Sequence, residues 1–324
     1  MNTANPFIGP NFVWWQGVVE DIDDPLKLGR TRVRIIGFHT QNKVEVPTDS
    51  LPWAVSIFPV TSASMNGIGF SPSGLVNGTW VIGFFKDGSN FQQPVIFGSI
   101  LGIPTEEPVK NQGFNDPEGI YPKKEFLNEP DTNRLARNEK VDQTYVPQRN
   151  SEVETVDIAL SSETWKEPNS PYNAEYPKNK VLESEAGHII EIDDTPESER
   201  IHLRHSSGSF EEFYPDGSKV TKIKGDNYEI VVENNNVYIK GDANTKVDST
   251  ANVKVSKDLN IHILGGANLL VSGNLKMETR GNFMHKIKGQ AAIISEGNMT
   301  FIAPRIDLNP SDISVSQVSD PLSQ

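Results

Sequence analysis

Histidine is scarce in this chain, six among 324 residues, and cysteine is absent, so metal or nucleophilic chemistry would have to rest on few side chains. His285 stands on the apolar parity of an alternating segment. Symmetry-related copies of that imidazole would converge on a metal, anion or water site. The blander alternative is a set of neutral histidines packed and hydrogen-bonded to one another. His202 and His205 in "HLRH" resemble a ligand pair, but on a strand they point to opposite faces, and no third ligand lies nearby. Asp193, Asp194, Glu197 and Glu199 crowd one turn, "EIDDTPESER". Acid–base catalysis needs carboxylates in unequal environments, which a solvated turn does not offer. Gly67 and Gly69 in "GIGFSPSG" lack the Lys-Ser/Thr and the following helix of a phosphate loop, so a partner-contacting loop fits better. No cofactor is implied, no metal site beyond the axial candidate at His285, and no catalytic residue.

The element that positions His285 is a repeat. Gly241, Gly265, Gly273, Gly281, Gly289 and Gly297 share a period of eight, with Ser249 and Lys257 in the same register. Eight residues fit no helical period but are a multiple of two, so a strand keeps its faces from one octad to the next. Two, four and six residues after each turn stand Val253, Val255, Ile261, Ile263, Leu269, Val271, Phe283, Ile287, Ile293 and Phe301, among others. Lys246, Lys254, Asp258, Lys276, Glu278, Arg280 and Lys286 occupy the alternate positions. This is the pattern of half-buried strands with one turn per octad. A single octad cannot bury its own apolar face, so the repeats must stack on themselves as a solenoid or on other copies of the chain. Single-chain β-helices use longer coils, and an octad suits one side of a triangle, which favours three intertwined chains. At a rise of about 4.8 Å per stacked strand, the octads from Gly241 to Pro304 make a shaft of roughly 40 Å.

Composition narrows the function. The net charge is −13, and no part of the chain is basic: 6 basic and 7 acidic residues in 1–103, 10 and 15 in 104–180, 14 and 21 in 181–324. Nucleic-acid binding therefore lacks its main source of affinity. The expectation is a chain with no disulfides, no secretory leader and no membrane span. Residues 12–103 read as five short strands of a small closed barrel such as an OB-fold. Its Trp14, Trp15, Trp53, Trp80 and Phe97 are expected to fill the core or an interface. Residues 104–180 are rich in Pro, Asn, Glu and Lys and read as an extended linker.

These stretches together resemble the central spike, or cell-puncturing, proteins of contractile-tailed bacteriophages, the T4 gene-product-5 type. "WWQGVVEDIDDPLKLGRTRVRIIG" and "LPWAVSIFPVTSASMNGIG" resemble that family's OB domain, and "GFNDPEGIYPKK" the segment that leaves it. "KEPNSPYNAEYP", "ESEAGHIIEIDDTPESERIHLRHSSGSFEEFYPDGS" and the octads resemble the approach to its triple-stranded β-helix and the helix itself. The resemblance implies a virion baseplate protein made in the host cytoplasm. It also implies docking through the OB domain on a hub protein, a PAAR-type tip protein on a blunt shaft end, and passage through the host outer membrane. Two departures stand out. The T4-type lysozyme domain has no counterpart, because the matching interval near 125–165 is too short and too polar, so murein cleavage is not carried over. Nor is there a histidine after His285 for the iron-binding tip of some short spikes.

The expected architecture is all-β: an OB barrel over 1–103, an extended linker over 104–180, a β-meander over 181–240, an intertwined triple-stranded β-helix over 241–309 and a polar tail over 310–324, in a homotrimer. Three competing functions remain: a glycan-degrading β-helical tail enzyme, a secretion-system spike of the VgrG type, and an OB-fold that binds single-stranded nucleic acid. The first lacks paired outward carboxylates beside aromatic platforms. The second would carry a hub before residue 12, and the third lacks positive charge.

Overall fold

Strict alternation, with Trp15, Val19, Val33, Ile35, Ala54, Val81, Phe85 and Ile96 turned to one side, closes the first five strands around a dry core. The computed structural model describes residues 12–306 and 308; the expected tail, 310–324, lies outside the described residues. Strands β1 (Trp14–Asp21), β2 (Thr31–Ile35), β3 (Trp53–Ser56), β4 (Trp80–Phe85) and β5 (Pro94–Ser99) form a closed barrel in the order β1-β2-β3-β5-β4. The β3–β5 pairing is parallel and the others are antiparallel. Gly83 of β4 lies opposite Trp15 of β1 and lets that ring and the β5 backbone come close. A Cβ there would sit 2.1 Å from the Val95 carbonyl oxygen and 2.4 Å from the Trp15 ring. Gly83→Ala is therefore expected to lower stability by about 1–3 kcal/mol or more, read from the thermal midpoint.

One ion pair ties the barrel to the segment after it. Arg34 and Glu20 are fully buried and meet in two hydrogen bonds, Nε to Oε1 at 2.6 Å and Nη2 to Oε2 at 3.0 Å. Oε1 also accepts the Phe114 N–H at 3.0 Å, which anchors the chain leaving the barrel.

The extended linker expected over 104–180 is not the structure that forms. Helices α1 (Arg134–Arg137) and α2 (Val146–Ser151) and a hairpin of β6 (Thr155–Asp157) and β7 (Thr164–Lys166) fold within it. Leu135, Tyr145 and Val146 share a buried cluster with Ile189. The polar composition hides this order, because the segment is held by ion pairs rather than apolar mass. Glu129, for example, binds Arg134 at 2.9 Å, Arg137 at 3.0 Å and also Lys140.

Five antiparallel strands come next, β8 (Asn179–Glu183), β9 (Ile189–Asp193), β10 (Arg200–Arg204), β11 (Phe210–Phe213) and β12 (Lys219–Lys222), in a meander of order β12-β11-β10-β9-β8. Beyond Lys222 the backbone is extended and bends every eight residues, at Lys224–Gly225, then Val232–Glu233, and onward through Glu296–Gly297. The bends thus begin two octads before the boundary of 241 read from the glycines, because Glu233 holds the glycine position of the second octad. The chain divides into two compact units, Met1–Ser249 and Thr250–Gln324.

Candidate functional site

The β8–β12 sheet carries its charges inside and its apolar residues outside. On the face covered by α1, α2 and their flanking loops, alternation places Glu191 on β9, Arg200 and His202 on β10 and Glu212 on β11, all with side chains fully buried. Arg200 bridges both carboxylates, Nη2 donating to Glu191 Oε1 at 2.6 Å and Nη1 to Glu212 Oε1 at 3.1 Å. Tyr145, from α2's N-terminal side, donates its hydroxyl to Glu191 Oε2 at 2.6 Å and stacks on His202, whose Nδ1 is 2.9 Å from the same oxygen. Arg149 of α2 pairs with Glu167 at 3.0 Å and approaches Glu212 at 3.7 Å, while Lys222 of β12 reaches Glu167 at 2.8 Å. Three carboxylates thus face three cations, which is how a charged cluster survives in a low-dielectric interior.

Burial pushes the Glu191 carboxyl up, but hydrogen bonds from His202 and Arg200 and the Arg200 charge outweigh it and hold the group at about 2. Burial, then the neighbouring Glu191, pushes the Tyr145 hydroxyl well above its ordinary value. With the folded carboxyl depressed, the stability it contributes is complete above its ordinary value of 4.5 and is lost as the pH falls toward 2. Melting temperature is expected to drop across that window, and Glu191→Gln is expected to flatten the drop. Every carboxylate here is engaged by a cation, so the arrangement locks the α1–α2 segment to the sheet rather than holding a base ready for a substrate.

The other face of the sheet is apolar and open to solvent. Leu182, Ile190, Ile192, Ile201, Leu203 and Phe213 are 42% to 62% exposed. They lie side by side across the strands, with Leu182 opposite Ile190, Ile190 opposite Leu203, Ile192 opposite Ile201 and Ile201 opposite Phe213. A patch of this kind on an antiparallel sheet marks a face that another surface covers. Its parity runs through Thr221 to Ile223, and at steps of eight from there stand Val231, Ile239 and Val247.

The barrel has a second such surface. Trp15 fills the core, whereas Trp14 (52% exposed), Phe97 (60%), Trp80 and Val55 lie outside, and Trp14 packs edge-on to Phe97 with ring centroids 5.9 Å apart. From Ser50 to Phe85 the chain has no charged residue. The loop within this span turns through Gly67 and Gly69, both at positive φ, and leaves Val60, Met65, Ile68 and Phe70 exposed. Trp53 lies under Arg32 and Arg30, at 4.6 and 5.4 Å, and those cations are engaged by Asp21 and Asp24. The β2–β3 side, where OB-folds grip single strands, is therefore electrostatically neutralised.

The chemical candidates of the sequence separate in space. His202 is buried and His205 exposed; the latter's ring lies 4.5 Å from that of His188 across two turns, a proximity the linear sequence does not signal. Asp193 is buried and accepts from Thr195, Asp194 pairs with Lys180 at 2.5 Å, and Glu197 holds a left-handed turn. His285 is exposed, 6.4 Å from Phe283. Among the described residues no group of three or more His, Asp or Glu is placed to hold a metal ion. Bends fall at Gly241, Gly265, Gly273, Gly281, Gly289 and Gly297, and Val253, Val255, Ile261, Ile263, Leu269, Val271, Phe283, Ile287, Ile293 and Phe301 are all exposed within the single chain.

Comparison with known proteins agrees with the barrel and the segment beyond it. Residues 37–199, 163 of 324, match the model of the Gp5 N-terminal OB domain. The chain is 47% identical over 264 residues to Protein Gp5 of Vibrio phage KVP40, a match covering 72% of this chain and 62% of that protein. It is 45% identical over 122 residues to the pre-baseplate central spike protein Gp5 of Enterobacteria phage T4, covering 36% of this chain and 21% of that one. The chain thus spans less than two thirds of either relative's length. With its closed five-stranded barrel and this match over half its length, the chain belongs to the Gp5 N-terminal OB-domain family.

Proposed function

We propose that this protein is the central spike of a contractile phage tail baseplate, a homotrimer whose octads intertwine into a triple-stranded β-helix. One observation carries the reading. Among the described residues beyond Lys222 no backbone ladder forms within the chain, although the octads alternate like strands and expose apolar side chains such as Val253, at 86%. Extended backbone with apolar faces is stable only when other strands take up its hydrogen bonds and cover those faces. Copies of the same chain, offset around a threefold axis, do both at once. The turn glycines then sit at the prism edges, and the inward set from Val253 to Phe301 fills the core with His285 on the axis.

In this reading the apolar sheet face of Leu182 to Phe213 packs at the axis as the base of the shaft. The charge-free outer surface of the barrel, anchored by Trp14 and Phe97, receives the baseplate hub, since aromatic residues are favoured and charges depleted at such contacts. The naming of the T4 relative as a pre-baseplate central spike protein supports this placement in the virion. A small PAAR-type protein caps the far end, and the host outer membrane is the target. The function is mechanical, and no residue is assigned a catalytic role. An interwound shaft resists unfolding through its barrier rather than its equilibrium stability. Light scattering on the purified protein tests this: the expected mass is three times the 35.9 kDa of the chain, and a monomer would overturn the proposal.

A further inference from the structure

One dipeptide occurs twice in the charge-free span of the barrel, as Asn66-Gly67 and as Asn77-Gly78, and nowhere else in the chain. Asparagine is thermolabile, and most so before glycine, which has no Cβ to keep its backbone nitrogen from the neighbouring side-chain amide. The fold treats the two pairs differently. Asn66 and Gly67 form the tip of a turn closed by the Ile68 N–H, which donates to the Met65 carbonyl at 2.9 Å. Both tip residues are exposed and hold left-handed φ, 53° and 75°. Apart from the chain neighbours, no heavy atom lies within 4 Å of where a Cβ on Gly67 would stand. Among the described residues no backbone carbonyl accepts the Gly67 N–H. Asn77-Gly78, by contrast, is caged. The Gly78 N–H donates to the Val19 carbonyl at 2.7 Å, and Asn77 Oδ1 is sealed from solvent. The flanking Val76 and Thr79 are tied together through the Thr79 hydroxyl, and a Cβ on Gly78 would lie 3.1 Å from the Tyr121 carbonyl oxygen.

We infer that Asn66 is a modification site, at which the free protein converts asparagine to aspartate and isoaspartate through a cyclic imide. The Gly67 nitrogen bonds to Asn66 Cγ and the Cγ–Nδ2 bond breaks. The amide nitrogen leaves as ammonia, taking the proton from the Gly67 nitrogen. Solvent water then opens the ring. Cleavage at the side-chain carbonyl gives aspartate; cleavage at the main-chain carbonyl gives isoaspartate, with one more methylene in the backbone. Either product is a carboxylate, and it is the first charge anywhere between Ser50 and Phe85. The isoaspartate form also lengthens the turn that the Met65–Ile68 bridge closes. An unpaired charge carried into a protein contact is costly, so the modified chain is expected to dock more weakly on the baseplate hub. That consequence rests on the proposed hub contact; the modification does not.

Peptide mapping by mass spectrometry tests this on the full-length protein aged in mildly alkaline buffer at physiological temperature. Aspartate and isoaspartate peptides are expected at position 66. They should form at least about tenfold faster than at position 77, where reaction waits on local opening of the hydrogen-bonded cage. In urea, with the cage gone, the two positions should react at similar rates. Asn66→Gln, whose longer amide closes a larger ring slowly, is expected to remove the acidic species that ion exchange resolves from the aged protein. An Asn66 that stays intact in the native protein while reacting in urea, or an Asn77 that keeps pace with it, would overturn the inference and leave the hub contact untouched. Conversion at position 66 with undiminished incorporation into baseplates would uphold the modification and count against the hub contact alone.

Discussion

Arg200→Ala is expected to cost about 3–5 kcal/mol, among the largest losses from any single substitution in the sheet. The guanidinium is the bridge between Glu191 and Glu212, and all three side chains are sealed from solvent. Removing it leaves two carboxylates in the interior with fewer cations than charges, and neither can reach water without opening the α1–α2 cover. The loss is measurable as a lowered thermal midpoint and as greater protease sensitivity around 134–172. Replacing Glu191 and Arg200 together by apolar residues should cost much less than the single change, since buried pairs are nearly balanced against hydrophobic substitutes. A single-variant loss below about 1 kcal/mol would mean that water reaches the cluster and that it is not the lock described.

The second large effect concerns the opposite face of the same strand. In the proposed trimer, six glutamates from Ile201→Glu with Leu203→Glu would meet at the threefold axis without counter-ions, so the double change is expected to abolish assembly while the barrel stays folded. Neither side chain enters the core of its own chain, each being 53% exposed, so the single subunit tolerates the change. Light scattering should show loss of the threefold mass, with the barrel's tryptophan fluorescence preserved. An unchanged trimer would show that this face does not lie at the axis.

How far the fold is legible in the sequence depends on the range of the interactions. The barrel strands are readable because their signal is local: alternation, turn residues and a "KDG" turn between β4 and β5. The octad register is readable for the same reason. Trp14, Trp15, Trp80 and Phe97 are visible as anchors, but which of them face inward depends on strand parity in a closed barrel, and only Trp15 does. The segment 104–180 reads wrongly as a linker because its order comes from pairs far apart in sequence. Tyr145 meets Glu191 and Arg149 meets Glu167, and composition alone cannot distinguish such a segment from a solvated one. The inverted sheet is hidden for a related reason. "HIIEIDD" and "RIHLRH" alternate cleanly, but the rule that apolar residues face inward assigns them the wrong side when the chain's own cover is polar.

The most direct measurement is cryo-electron microscopy of the purified full-length protein. A threefold-symmetric needle is predicted, with strands stacked at about 4.8 Å across its axis, the three chains exchanging sides at each octad and Ile201 and Leu203 facing the axis at its base. A single-chain solenoid, or separate barrels with unstructured octads, would contradict the account.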